Sequence, residues 1–440
     1  MIYRAHFVVP ITGEPIEGGE VIVRNGQIEA VGTGLAAGAP GERIEDLGHA
    51  AILPGLVNAH THLDYTILRG LLDDEPFFAW IRRLTELASH LRPEDFLVSA
   101  RLGALQLIRS GVTAIGDSTL SGAAVEAAAE AGLRGIVYQE TFGPDPAADY
   151  TDQVEALADQ VDNLRGQAGD RISIGVSPHS VYTASDPLLR LVARLAWDEG
   201  LPVALHAAET RAELDFIESA TGEIAAFHSL VGFEPTPRAK SPVAYLHDTG
   251  ILGEKTTLAH CVHVSEADLD ILAEENACVA HCPKSNAKLG VGTAPLDRII
   301  GRGIAAGIGT DSAASDNSLD MFEEMRFAVL GQRAARRDVQ ALDAKTVLEL
   351  ATLGGAAALG LETEIGSLEA GKRADLVAVD LSAPSTFPCP DPYSALVYSC
   401  SAADVLLTVI EGEEVYRSGE FRRVDSKETL RQAAMLAASL

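Results

Sequence analysis

The sequence predicts an α/β fold, a (β/α)8 barrel carrying a small composite β-sandwich built from both chain ends. Three observations carry this expectation. Eight short apolar runs alternate with helical stretches through the middle of the chain, polar residues that suit metal or acid–base chemistry follow directly on those runs, and both termini read as strands joined by glycine-containing turns. Parallel strands need helical crossovers, and in barrels of this kind the chemistry sits at the carboxyl ends of the strands.

At the N-terminus, MIYRAHFVV and GGEVIVRNGQIEAVG alternate, with Asn25-Gly26 between two such runs as a hairpin signal. Near the other end, IGSLEAGKRADLVAVD and LLTVIEGEEVYRSGEF repeat the strand–turn–strand pattern. Residues 1–53 and 365–440 are therefore expected to form the β-sandwich, and residues 54–364 the barrel. Strands are expected at 56–59, 112–116, 133–138, 172–176, 203–205, 256–259, 278–280 and 304–309. Helical segments such as TDQVEALADQVDNLR and DPLLRLVARLAWDEG lie between them, and Ser265 stands as an N-cap before SEADLDILAEEN. A doubly wound open sheet competes with the barrel on strand counting alone.

Composition narrows the function. At 440 residues, 47% apolar and 22% charged, the chain is globular rather than disordered. A net charge of −29 argues against nucleic acid, whose phosphates need Lys and Arg. No apolar run reaches the ~18–20 residues of a membrane span, and the start lacks a secretory pattern. Cys261, Cys278, Cys282, Cys389 and Cys400 show no CxxC spacing, which points to a reduced, cytoplasmic setting.

Strand one runs into His60-Thr61-His62, strand two into Asp117, strand three into Glu140 and strand four into His179. Strand five ends at His206 followed by Glu209, strand six at His260 and His263, strand seven at His281 and strand eight at Asp311. His60 and His62, two apart on an extended segment, share one face. With His206 and Asp311 they make a donor set that Zn²⁺ or Fe²⁺ accepts at roughly 2.0–2.2 Å. Mn²⁺ also suits it. Strand four, RISIGVSPH, has no lysine of the kind that bridges two metals, so one divalent ion is expected. GSLEAGKR falls short of a phosphate loop, ending in Arg373, and reads as a turn. HExxH, GxSxG and GxGxxG are absent, as is the PCxxC of the cytidine-deaminase zinc fold.

NAHTHLD, SPHSVYT, HAAET, LAHCVHVSEADL, HCPKSNAKLG and GTDSAAS, in this order, resemble the amidohydrolase superfamily. LPGLVNAHTH and GSLEAGKRADLV extend the likeness over nearly the whole chain. The nearest branch resembles the deaminases of S-adenosylhomocysteine, methylthioadenosine and 6-aminodeoxyfutalosine. The resemblance implies metal ligands His60, His62, His206 and Asp311, with Glu209 as proton shuttle. It implies that His260 orients the attacking water, that Asp311 takes its proton and that His179 touches the substrate. A nucleoside-like small molecule and a homo-oligomer are implied as well.

The segment FFAWIRRLTELASHL departs from the family. Methylthioadenosine-type deaminases place a glutamate after the tryptophan to grip the ribose hydroxyls, whereas Arg82 and Arg83 follow Trp80 here. An arginine cannot accept from a diol but holds a carboxylate bidentately. This ranks 6-aminodeoxyfutalosine first, ahead of S-adenosylhomocysteine, methylthioadenosine or adenosine. An s-triazine or cyclic-amide hydrolase on the same machinery, and a catalytically silent scaffold, are the rivals. Asp117, Glu140, His263, His281, Ser285 and Asn286 stay open between functional and structural roles.

Overall fold

A computed structural model describes residues 1–440. The eight expected strands form as β1 (Leu56–Thr61), β2 (Val112–Thr119), β3 (Arg134–Thr141), β4 (Ile172–Pro178), β5 (Val203–Ala207), β6 (Thr256–His260), β7 (Cys278–His281) and β8 (Ala306–Ile308). They pair in parallel in strict chain order, and a parallel bridge from Thr61 to Asp311 brings β1 against the end of β8. An open doubly wound sheet reverses its strand order at a switch point. This one does not, so the barrel stands.

All eight strands are buried almost throughout, as expected for parallel strands with helices outside. The interior is filled rather than hollow. Val57, Ala114, Ile136, Tyr138 and Ala204 pack against Ala356, Leu359 and Ile365, so the segment after the last barrel strand plugs one end. The cavity opens at the other. A close approach fixes its edge: a Cβ on Gly309 would lie 2.9 Å from the backbone N, the O and the Cβ of His60. Only glycine lets the chain leaving β8 lie against the residue that begins the HxH pair.

Both termini join one seven-stranded sheet, in which Leu376–Asp380 pairs antiparallel with Ala50–Pro54. A four-stranded sheet holds the expected hairpin, Glu20–Arg24 against Gln27–Gly32, with Asn25 at φ 50° and Gly26 at φ 76°. Those signs at both central residues are the ones a type I′ turn requires. Tyr3, Val21, Ile28, Ile52, Leu376 and Val409 form one apolar cluster spanning the two sheets. Arg134 of β3 and Asp375, both buried, pair at 2.9 Å and tie the seven-stranded sheet to the barrel.

The chain does not end in strand. Ser426–Ala437 is a helix capped by Asp425, and it packs on the barrel helix Pro93–Arg109. Within GSLEAGKR, Lys372 donates to the carbonyl of Ile365 at 3.1 Å, so its amine is committed to the turn. All five cysteines are buried and unpaired. No helix is long and apolar enough to cross a membrane.

Candidate active site

A cavity of about 1700 Å³ opens over the carboxyl ends of the strands, with His62, Glu140, His179, His206, Glu209, His260 and Asp311 in its lining. His62 Nδ1 lies 2.8 Å from the Ser118 carbonyl and His206 Nδ1 lies 2.8 Å from the His179 carbonyl. Each Nδ1 must therefore carry the proton, which leaves both Nε2 atoms as bare lone pairs. Those two Nε2 atoms face one another at 3.1 Å. Two acceptors at that distance repel, and a cation between them turns the contact favourable. The third member fits the same reading, because His60 Nε2 is buried with no hydrogen-bond partner. The donor atoms of His60, His62 and His206 lie within 4.8 Å of one another. Asp311 Oδ1 is 3.9 Å from His60 Nε2 and 3.6 Å from His62 Nε2. Two ligands at ~2.0–2.2 Å from a shared ion subtend just such distances.

Protonation states agree with this. Burial depresses every histidine of the cluster: His62 and His206 fall to about 4, and His60 and His179 lie well below the usual value. All are neutral imidazoles at pH 7, the form that ligates. Burial would raise Asp311, but His62, His260 and the Ser285 hydroxyl outweigh it and hold the carboxyl below the ordinary aspartate value.

Asp311 is positioned by its backbone and by three donors. Its φ is 57°, uncommon for a residue with a Cβ, and its N–H donates to the His60 carbonyl at 3.0 Å. Ser285 and Ser315 hydroxyls donate to Oδ2 at 2.7 and 2.8 Å, and the Ser312 N–H donates to Oδ1 at 2.6 Å. Oδ1 is the oxygen that faces the histidines.

Glu209 Oε1 lies 3.8 Å from His260 Nε2. Burial first, and Asp311 second, push the Glu209 carboxyl well above its usual value. His260 is fixed from behind, with Nδ1 2.9 Å from Asn286 Oδ1. Its backbone φ of 73° re-aims the ring at the end of β6. His179 Nδ1 meets Thr183 Oγ1 at 2.9 Å, and Phe142 stacks on its ring with centroids 5.0 Å apart.

Nine residues were singled out by sequence as site residues, and seven meet on this floor: His60, His62, His179, His206, Glu209, His260 and Asp311. Arg82 and Arg83 do not reach it. They sit on the rim helix Phe77–Ala88, both exposed, and Arg83 pairs with Glu75 at 3.0 Å while Arg82 makes no ion pair. Of the residues left open, Glu140 lines the cavity, and burial, Asp64 and Asp311 push its carboxyl up to about 8. Asp117 instead accepts from the Leu63 N–H at 2.8 Å, and His263 meets the Val291 carbonyl at 2.9 Å. His281 is buried outside the lining, with neither ring nitrogen partnered. Ser285 and Asn286 serve as braces, for Asp311 and His260.

Three supporting residues escaped the sequence reading. Ser315 and Thr183 brace Asp311 and His179, while Glu213 accepts from the N–H groups of Ala208 (2.7 Å) and Glu209 (2.9 Å). A signal for Glu213 did exist. Thr210 caps its helix by accepting from the Glu213 N–H, and T-x-x-E is a capping-box pattern.

A closed parallel barrel with three histidines and an aspartate converging at its carboxyl end defines a metal-dependent hydrolase. The model of the amidohydrolase family matches residues 51–415, and the chain belongs to that family. It is a hydrolase acting on carbon–nitrogen bonds. It is 41% identical over 418 residues to a 5-methylthioadenosine/S-adenosylhomocysteine deaminase of Nitratidesulfovibrio vulgaris, covering 93% of this chain and 90% of that one. A 5'-deoxyadenosine deaminase of Methanothermobacter thermautotrophicus is 35% identical over 427 residues, covering 97% and 95%. Among solved structures, a zinc-bound adenosine deaminase from Xanthomonas campestris superposes with a TM-score of 0.86 at 32% identity, covering 100% of this chain and 98% of that one.

Proposed function

We propose that this protein deaminates a 6-aminopurine nucleoside by hydrolysis, with a 5'-substituted adenosine as substrate and Zn²⁺ as the resident ion. One observation carries the reading: the convergent bare nitrogens of His62 and His206 lie on the same cavity floor as a buried Glu209 whose carboxyl burial pushes well above its usual value. His60, His62, His206 and Asp311 would hold the cation. A bound divalent ion supplies a water whose pKa is lowered from ~15.7 to about 7.

The remaining chemistry belongs to the side chains. Glu209, whose carboxyl burial and Asp311 shift toward the protonated form, gives a proton to the ring nitrogen beside the reacting carbon. His260, with Nδ1 held by Asn286, offers Nε2 as an acceptor that orients the attacking water. Asp311 anchors the site and accepts the water's proton through Oδ1, since Oδ2 is taken by two hydroxyls. His179 contacts the substrate. We further infer that residues 1–53 and 365–440 act as one supporting unit, because every residue named here lies within 54–364.

The substrate ranking shifts from the sequence reading. Relatives named for methylthioadenosine, S-adenosylhomocysteine and 5'-deoxyadenosine favour those nucleosides over 6-aminodeoxyfutalosine. The unpaired Arg82 at the rim suits a substrate carboxylate, which S-adenosylhomocysteine and 6-aminodeoxyfutalosine both carry, and this keeps 6-aminodeoxyfutalosine as the second reading. Ammonia release from a panel of adenine nucleosides, with and without a carboxylate, tests both readings. Chloride release from a chloro-s-triazine with no ammonia from any nucleoside would overturn them.

A further inference from the structure

Glu140 is a deep carboxyl group with nothing assigned to it. Its side chain is 1% exposed, it stands near the end of β3, and it lines the cavity. Oε1 is buried without a hydrogen-bond partner. A buried oxygen left unpaired costs free energy comparable to a lost hydrogen bond, so its persistence in a cavity wall points to a donor that arrives with a ligand.

The neighbouring groups do not supply that donor. His62 Nδ1, 4.0 Å away, already donates to the Ser118 carbonyl. Asp64 takes donors from Thr119, Leu120 and Ser121, while Asp117 takes the Leu63 N–H on Oδ2 and leaves Oδ1 unpartnered, but neither acid lines the cavity. Of these three acids, Glu140 alone faces the space a ligand would fill.

Its place on the ring says which donor arrives. Glu209 stands beside His260 of β6, three strand positions from β3 around an eight-strand ring. Glu140 reaches the cluster beside His62 and His206, whereas Glu209 lies against His260. In a purine whose ring nitrogen meets Glu209, the exocyclic nitrogen sits on the adjacent carbon, with one of its two N–H bonds directed away from that ring nitrogen. That nitrogen carries N–H donors in the substrate and leaves as ammonia.

We propose that Glu140 accepts a hydrogen bond from the departing exocyclic amino group and so helps select an amine as leaving group. The inference rests on the deaminase reading and adds a contact to it. A carboxyl oxygen accepts in either protonation form, and no proton passes to or from Glu140. The bond from carbon to the exocyclic nitrogen breaks with its electron pair going to nitrogen, which takes the proton that Asp311 received from the water and leaves as ammonia, while the new hydroxyl's proton restores Glu209.

Adenosine and 6-methoxypurine ribonucleoside provide the test. Attack at the same carbon gives inosine from both, but only adenosine has N–H donors on its leaving group. The metal-loaded wild type, Glu140→Leu and Glu140→Gln are compared by kcat/KM on both substrates, with metal content measured on each protein. Glu140→Leu is expected to lower the adenosine value by about tenfold, the upper range of one lost neutral hydrogen bond. It should change the methoxy value far less, and Glu140→Gln, which keeps an acceptor oxygen, should recover part of the adenosine loss. Equal losses on both substrates would overturn the proposal and make Glu140 a structural support. So would a fall in metal stoichiometry in Glu140→Leu, which would make Glu140, with His179 and His206, part of a cation site. Failure of the metal-loaded wild type on both nucleosides and on 5'-methylthioadenosine and the rest of the adenine panel would overturn the deaminase reading itself.

Discussion

On the cavity floor, each histidine ring of the His62–His206 pair is tethered through Nδ1 to a backbone carbonyl, and Asp311 receives three donors. At the rim, Arg82 makes no ion pair, and Phe227, Leu230 and Val231 are 51%, 83% and 48% exposed around the opening. The floor's histidines and aspartate come from strand ends held by the barrel ladder, and His62, His206, His260 and Asp311 are each oriented by a second contact. The rim comes from helices and loops that no ladder constrains. Catalysis needs the first kind of surface, and substrate choice is left to the second.

Substitutions should therefore graduate from floor to rim. The largest loss is expected for Asp311→Asn, which removes the ligand charge but keeps the shape. Elemental analysis should show depleted metal and turnover should fall further than in any other variant. A fully loaded, active Asp311→Asn protein would erase the distinction between floor and rim.

Glu209→Gln comes next, with kcat down by about 10²–10⁴-fold, the usual share of a general acid. Its metal content should be unchanged. In the wild type the protonated carboxyl is the active form, and its pKa is raised by burial and by Asp311. kcat/KM should therefore decline on the alkaline side, as pH rises through a value above the ordinary glutamate range. A rate independent of pH through that region would remove Glu209 from this role.

The braces rank third. Ser285→Ala and Ser315→Ala each remove one hydroxyl from Asp311 Oδ2, and metal affinity or activity should fall by about 10–100-fold. Titration with a competing chelator measures it. Arg82→Met ranks fourth. It should leave kcat on adenosine within about twofold, as expected of an exposed residue outside the chemistry. KM should rise only for a nucleoside bearing a carboxylate, and an equal effect on charged and uncharged substrates would exclude Arg82 from recognition. Leu230→Ser should be the mildest, with a small rise in KM and no change in kcat.

The floor was legible in the sequence for a physical reason. Barrel strands are short, β-branched or small, and end where polar residues begin, so His60, His62, His206, His260 and Asp311 stand at marked positions. The parallel pairing of all eight strands then follows from the helices between them. What escaped notice depends on distance rather than order. Ser315 reaches Asp311 across a turn of 4 residues, and nothing in GTDSAAS separates a brace from a loop serine, whereas Ser285 was open as a brace and reaches Asp311 from 26 residues away. The Glu75 partner of Arg83 was invisible because an exposed helix face offers several acids at similar spacing. The closing helix Ser426–Ala437 was lost when the strand pattern before it was carried to the end of the chain, although Asp425 is a good N-cap.

The most direct measurement is mass spectrometry of 5'-methylthioadenosine incubated with the zinc-loaded protein in ¹⁸O-labelled water, with ammonia assayed in parallel. Replacement of the exocyclic amino group by one labelled oxygen, with one equivalent of ammonia released, is the expected result. An unaltered nucleoside across the whole adenine panel, from protein shown to hold its metal, would contradict it.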